Sequence, residues 1–161
     1  MKDKRNIVIV ALLLVMVVMS YGFVSYSINT NEKTNSNIKV WDVAITDVKT
    51  VTTGTASVGE LDYNGGVLVI DPIIRSNVDT VTYTVTITNN GLLDAKLNRT
   101  LYTEKNPKSV IKYMYENGKD ILKSKESITI MIKAYVDEDS TIDTNIPTTN
   151  ELTALYEFVQ N

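Results

Sequence analysis

The sequence predicts an all-β protein, a single β-sandwich of seven or eight strands preceded by an N-terminal hydrophobic helix, and three observations carry that expectation. Apolar and polar side chains alternate at period two along several segments. Turn residues punctuate the chain at roughly ten-residue spacing. Beyond the N-terminus no long amphipathic helical period competes. Immunoglobulin-like and jelly-roll arrangements both fit this pattern.

The N-terminal element comes first. Lys2, Lys4 and Arg5 stand against Asp3, and Ile7 to Met19 follows as thirteen residues without a polar group. With the softer Ser20 to Ile28, the charge-free run from Ile7 to Ile28 is 22 residues long. About 20 helical residues cover a hydrocarbon core of ~30 Å, so residues 1–28 read as a transmembrane anchor. They also read as a signal peptide, with small-x-small sites at Ser20-Tyr21-Gly22 and Ser25-Tyr26-Ser27. In both cases the basic flank stays in the cytoplasm and the remainder crosses. Membrane contact through Ile7 to Ile28 and an extracellular or cell-surface location are therefore expected. A buried core helix is the weaker reading, because a helix apolar all round has nowhere to hide in a small β domain.

Residues 29–37, Asn-Thr-Asn-Glu-Lys-Thr-Asn-Ser-Asn, contain no apolar residue and read as a polar linker, which places the folded domain at 38–161. Ile38 to Ile45 alternates around Trp41 and predicts a first strand, and Thr50 to Val58, rich in Thr and Val, a second. Gly65-Gly66 reads as a hairpin turn before Val67 to Ile74, whose apolar run predicts a buried strand. In Val78 to Thr88, Val81, Tyr83, Val85 and Ile87 face one way and five threonines the other, the pattern of one buried and one wet face. Asn89-Asn90-Gly91 then predicts a turn into a partner strand, Leu92 to Leu101, ended by Asn106-Pro107. Val110 to Tyr115 fits a short strand or a helical turn. Ser127 to Val136 alternates again, Asp137 to Asn150 is a polar loop with room for a short helix over 150–155, and Leu152 to Val159 predicts a closing strand.

Composition narrows the chemistry. There is no cysteine and no histidine among the 161 residues, which removes disulfides, thiolate nucleophiles, Cys/His zinc sites and imidazole proton shuttles. No catalytic set of nucleophile, base and oxyanion donor can be assembled, so no enzyme, no catalytic, cofactor-binding or metal-binding residue and no cofactor is expected. Past residue 28 the chain keeps 13 basic and 18 acidic residues, about −5. No Lys/Arg cluster offers itself to phosphates, which argues against nucleic acid.

Several residues invite sharper roles. Asp137-Glu138-Asp139 with Asp143 could present oxygens to calcium, but the spacing lacks the glycine of a calcium loop, and a solvated acidic loop is the better account. Trp41, Tyr63, Tyr83, Tyr102, Tyr113, Tyr115, Tyr135 and Tyr156 could stack on sugars, but they fall on separate strands and core packing is favoured. Asn98-Arg99-Thr100 fits a glycosylation triplet by chance. A Lys-to-Asn isopeptide link between Lys39 or Lys133 and Asn89 or Asn98 is conceivable, with little to support it.

Val40-Trp41-Asp42-Val43, the stretch from Thr82 through Asn89-Asn90-Gly91 to Leu97, Leu122 to Ile132, and the terminal Tyr156-Glu157-Phe158-Val159-Gln160 together resemble the TasA/camelysin-like family of Gram-positive surface and biofilm-fibre proteins. The resemblance spans most of residues 38–160. It implies a jelly-roll-like sandwich, export by the general secretory route, and self-association into fibres or attachment to the cell surface. The Ala-rich processing site usual in that family is replaced here by Ser-Tyr-Gly and Ser-Tyr-Ser. A metallopeptidase activity, a label some members carry, has no His pair to rest on. The expected function is a non-enzymatic structural protein of the surface or matrix that self-associates by strand addition, with residues 29–43 as donor. A membrane-anchored monomeric module binding an envelope or host ligand through residues 101–117 or 137–150 is the alternative.

Overall fold

In the computed structural model residues 39–161 are described, apart from Asn117, Glu138 and Asn145; the expected hydrophobic helix over 1–28 and the linker over 29–37 lie outside the described residues. Lys39–Asn161 forms one compact unit. Its strands are β1 (Val43–Thr53), β2 (Ser57–Asn64), β3 (Val67–Ile74), β4 (Thr80–Asn89), β5 (Ala95–Glu104), β6 (Ile111–Glu116), β7 (Ile121–Leu122), β8 (Ser127–Val136), β9 (Thr148–Thr149) and β10 (Leu152–Gln160). One antiparallel sheet runs β1-β4-β8-β6. The other runs β2-β3-β10-β5-β7, with β9 beside β3. Among the described residues no helix is long and apolar enough to cross a membrane.

Alternation decides which side chains meet between the sheets. Val81, Tyr83, Val85 and Ile87 of β4 and Ile128, Ile130, Ile132 and Ala134 of β8 are buried against Leu68, Ile70 and Ile74 of β3 and Leu152, Ala154 and Tyr156 of β10. The two apolar faces form one core, the arrangement of a β-sandwich. At about 25 cal/mol per Å² of buried apolar surface, each fully buried Ile or Leu contributes roughly 2–3 kcal/mol.

Several sequence expectations change. The first two strands were expected over 38–45 and 50–58, but β1 is continuous to Thr53, the turn falls at Gly54, and β2 begins at Ser57. A bulge between Ile45 and Asp47 moves the inward position from odd to even numbers, so Ile45 and Val48 both reach the core. That one-residue phase slip reads as a break in a period-two pattern. The partner strand expected after Asn89-Asn90-Gly91 is not a partner: β4 bonds to β1 and β8, and β5 lies in the opposite sheet beside β10. The corner crosses between sheets instead of reversing within one. The segment 110–115 resolves as strand, and 150–155 is extended, not helical.

Gly65-Gly66 does form the two-residue hairpin, Asn64 facing Val67, with positive φ at Gly65 alone, as a II′ turn has at its first central residue. β3 also carries Pro72, whose nitrogen faces the flank away from β2, because the Asp71 carbonyl across the same trans peptide points at Gly59; on that flank β9 ends at Thr149 opposite Ile73 and β10 begins at Leu152 opposite Ile70, so no N–H of Pro72 is needed. The second irregularity of the hairpin is a bulge of β2 between Ser57 and Glu60. Gly59 makes the bulge, with φ 65° and with Asp71 O only 1.9 Å from where a Cβ would stand. Gly59→Ala is therefore expected to cost about 2–4 kcal/mol, from the left-handed backbone and the collision together. A denaturant midpoint unchanged from the native protein would refute that reading of the bulge.

Candidate interaction surfaces

Among the described residues the edge strand β1 is the longest, 11 residues, and has a single neighbour, β4. Which of its amides face outward follows from two bonds. Asn89 N–H donates to Glu126 O, away from β1, and Ile45 N–H donates to Gly65 O, away from β4. Antiparallel alternation then aims the N–H groups of Thr88, Thr86, Thr84 and Thr82 at β1, and the opposing Asp47, Lys49 and Val51 bond back. Val48, Thr50 and Thr52 are left with N–H and C=O pointing off the edge. Val51 projects from the same stretch, 64% exposed. The other edges are less regular: β2 carries the Gly59 bulge, and β6 has six residues.

Two polar brackets fix the ends of the β1–β4 pair. Asp79, buried between strands, accepts from Thr55 N–H (2.9 Å), Thr55 Oγ1 (2.8 Å) and Arg75 N–H (3.0 Å). Burial works against its charge, but the amides of Thr55 and Arg75, with the Thr55 hydroxyl, outweigh it and hold the carboxyl below the usual carboxylate range. The turn after β1 is thereby tied to the loop before β4. At the other end, fully buried Asn89 donates Nδ2 to Leu93 O (2.7 Å) and Leu122 O (3.1 Å) and accepts Gly91 N–H (3.0 Å). Between the brackets, threonine hydroxyls bond across strands, Thr46 to Thr88 at 2.8 Å and Thr53 to Thr80 at 2.9 Å.

The residues singled out by sequence are mostly kept apart. Asp137, Asp139 and Asp143 are exposed, as a solvated acidic loop would be, and Glu138 lies outside the described residues. No three His, Cys, Asp or Glu side chains among the described residues are placed to hold a metal ion. Lys133 pairs with Thr82 on the outer face of β8, seven residues along β4 from Asn89, about 23 Å at 3.3 Å per residue. Both amide hydrogens of Asn89 are already given to Leu93 O and Leu122 O, Asn98 is the exposed bulge residue of β5, and Lys39 lies 3.6 Å from Asp42, so the structure offers the isopeptide link no support. Core packing holds for Tyr83 and Tyr156, but Trp41 and Tyr63 are exposed at the rim.

Four tyrosines from three strands meet, although their sequence separation argued against it. Tyr102 stacks on Tyr115 with ring centroids 3.7 Å apart and meets Tyr156 edge-on at 6.3 Å, while Tyr113 lies 6.5 Å from Tyr115. The Tyr113 hydroxyl donates to Asn150 O. Burial, helped by Glu104 and Tyr102, pushes the Tyr115 hydroxyl up to about 12; burial likewise raises Tyr113 and Tyr156. These phenols stay neutral and take no part in acid–base chemistry near pH 7. Their unfolded counterparts ionise near 10, so fold stability is expected to be complete below pH 10 and to fall as pH rises above it. A flat urea midpoint between pH 9 and 11 would contradict the placement of the cluster.

The chain matches no protein-family model and no curated protein.

Proposed function

We propose that this chain is a non-enzymatic, extracytoplasmic structural protein of the cell surface or matrix that self-associates by adding a strand along the outer edge of β1. The observation that carries the reading is the run of outward N–H and C=O groups at Val48, Thr50 and Thr52 on the longest edge strand. Such an edge is a template for another chain unless a bulge, a proline or inward charge blunts it. Here the bulge sits at one end, and the stretch from Asp47 to Thr53 is regular. The uncharged run at Ile7 to Ile28 supports export, as a signal peptide or a retained anchor, and the resemblance to TasA/camelysin-like proteins supports a fibre or matrix role.

The donor differs from the sequence expectation at its C-terminal end. Asn90 N–H bonds to Asp42 O (2.7 Å) and Leu92 N–H to Val40 O (3.0 Å), so residues 40–43 belong to their own domain and the donor is confined to residues 29–39. Of the two topologies, we favour a jelly-roll-like one. β1 and β2 lie in different sheets, whereas the immunoglobulin order pairs its first two strands.

Thr50→Pro tests the edge, because it removes an outward N–H and leaves the bonds to β4 in place. Residues 29–161, which carry the entire core, are expected to sediment as species that grow with concentration, and the variant as a monomer of unchanged β-sheet signal. Growth that persists in Thr50→Pro sinks the β1 edge. A native fragment that stays monomeric at every concentration favours the anchored binding module instead.

A further inference from the structure

We propose that the end of the sandwich where the chain enters the domain rests on the lipid bilayer, with Val40, Trp41 and Leu92 at headgroup level. The inference rests on the reading that Ile7 to Ile28 remains in the membrane as an anchor.

This end is a fixed platform. The two bonds from Asn90 to Asp42 and from Leu92 to Val40 continue the β1–β4 register past Val43 and Asn89, which sets Val40 opposite Leu92 and Trp41 opposite Gly91. A Cβ at Gly91 would lie 2.8 Å from Val40 O, so the close approach needs glycine. Ser124 fastens the neighbouring turn, its Oγ donating to Gly91 O (2.8 Å) and its N–H to Asp94 Oδ1 (2.9 Å). Asn161 N–H bonds to Asp94 O at 3.0 Å, bringing the last strand to the same place. On this platform Val40 is 58%, Leu92 51% and Trp41 40% exposed.

Position and chemistry both point to lipid. Lys39 follows Ile38, which closes the polar run 29–37 after the uncharged 7–28. Ten residues, 29–38, separate Ile28 from Lys39, so an anchor held in the bilayer keeps the platform close to it, at an effective concentration of about millimolar for so short a connection. A tryptophan beside aliphatic residues and lysines is the composition of interfacial membrane anchors. Lys39, Lys96, Lys119, Lys123 and Lys125 around this end are nearly balanced by Asp42, Asp94, Asp120 and Glu126. Insertion is therefore apolar, with little dependence on salt or anionic lipid. Three side chains alone bind weakly, and the tether makes the contact persist.

Trp41 is the sole tryptophan and reports its own surroundings. The full chain is reconstituted with phosphatidylcholine vesicles carrying a quencher at the headgroup, and flotation and Trp41 emission are read together. Expected are flotation, blue-shifted emission and strong quenching, all insensitive to salt. The double variant Val40→Asp/Leu92→Asp, at two exposed positions, should float equally and unfold at the native denaturant midpoint, with the quenching and the blue shift lost. Flotation with a water-exposed, unquenched Trp41 overturns the platform and leaves the anchor standing. Failure to float overturns the anchor, and the platform with it. A blue shift without vesicles that grows with protein concentration means that a second copy covers this end, and also overturns the proposal.

Discussion

Asp79→Ala is expected to destabilise the domain by about 2–4 kcal/mol, because it takes the acceptor from two part-buried amides and removes charge-assisted bonds worth roughly 1.5–3 kcal/mol each before compensation. The carboxylate accepts from Thr55 N–H, Thr55 Oγ1 and Arg75 N–H, and its depressed pKa fixes the pH signature. A carboxyl held in the folded chain below its ordinary value of 3.8 contributes stability that is present above about pH 4 and lost as pH falls through the folded value. The native protein should therefore weaken below pH 4 more steeply than Asp79→Ala. Urea unfolding at pH 7 and pH 3 reads both effects. Equal midpoints at pH 7 would mean that the bracket between the β1–β2 turn and the β3–β4 loop does not hold β1 in place.

Asn89→Asp should be at least as damaging as Asn89→Ala, and its pH dependence should run the opposite way. The amide Nδ2 faces two carbonyls, Leu93 O and Leu122 O, while Oδ1 receives Gly91 N–H. Alanine leaves those partners unmatched and costs about 2–4 kcal/mol. Aspartate puts a charged acceptor against two acceptors in a buried site, and only its protonated form can donate. Its folded pKa would be raised, so Asn89→Asp should gain stability as pH falls toward 4, while Asn89→Ala should not. A neutral effect of both substitutions would show that the crossing from β4 to β5 does not depend on this side chain.

These two residues also show what the sequence makes legible. Composition and alternation reveal the sandwich because burying one face of a strand forces period two, and β4 and β8 follow it along their length. Which strand pairs with which is not written at that level. Asn89-Asn90-Gly91 looks like a hairpin turn because Asn and Gly tolerate positive φ, yet among the described residues the only non-glycine positive φ is at Lys125, which donates to Asn89 O and Asn90 O. Several of the contacts that turn the corner into a sheet crossing, from Leu122, Ser124 and Lys125, come from residues more than 30 positions away. The bulge at Ile45 and Asp47 likewise hides β1 by shifting its phase. The tyrosine cluster is invisible in one dimension, since Tyr102 meets Tyr115 and Tyr156 only because β5, β6 and β10 are brought together. The β1 edge is the part of the candidate surface that needed coordinates most: its Thr/Val composition is plain, but an edge is a property of topology.

Amide hydrogen exchange at Val48, Thr50 and Thr52, compared between dilute and concentrated protein carrying residues 29–161, tests the central claim most directly. Strand addition along β1 is expected to leave all three amides fast in dilute solution and to slow them together in the assembled form, while Lys49 and Val51, bonded to β4, are slow in both. Assembly that proceeds with these three amides still exchanging freely would contradict the account, and would move the self-association surface away from this edge.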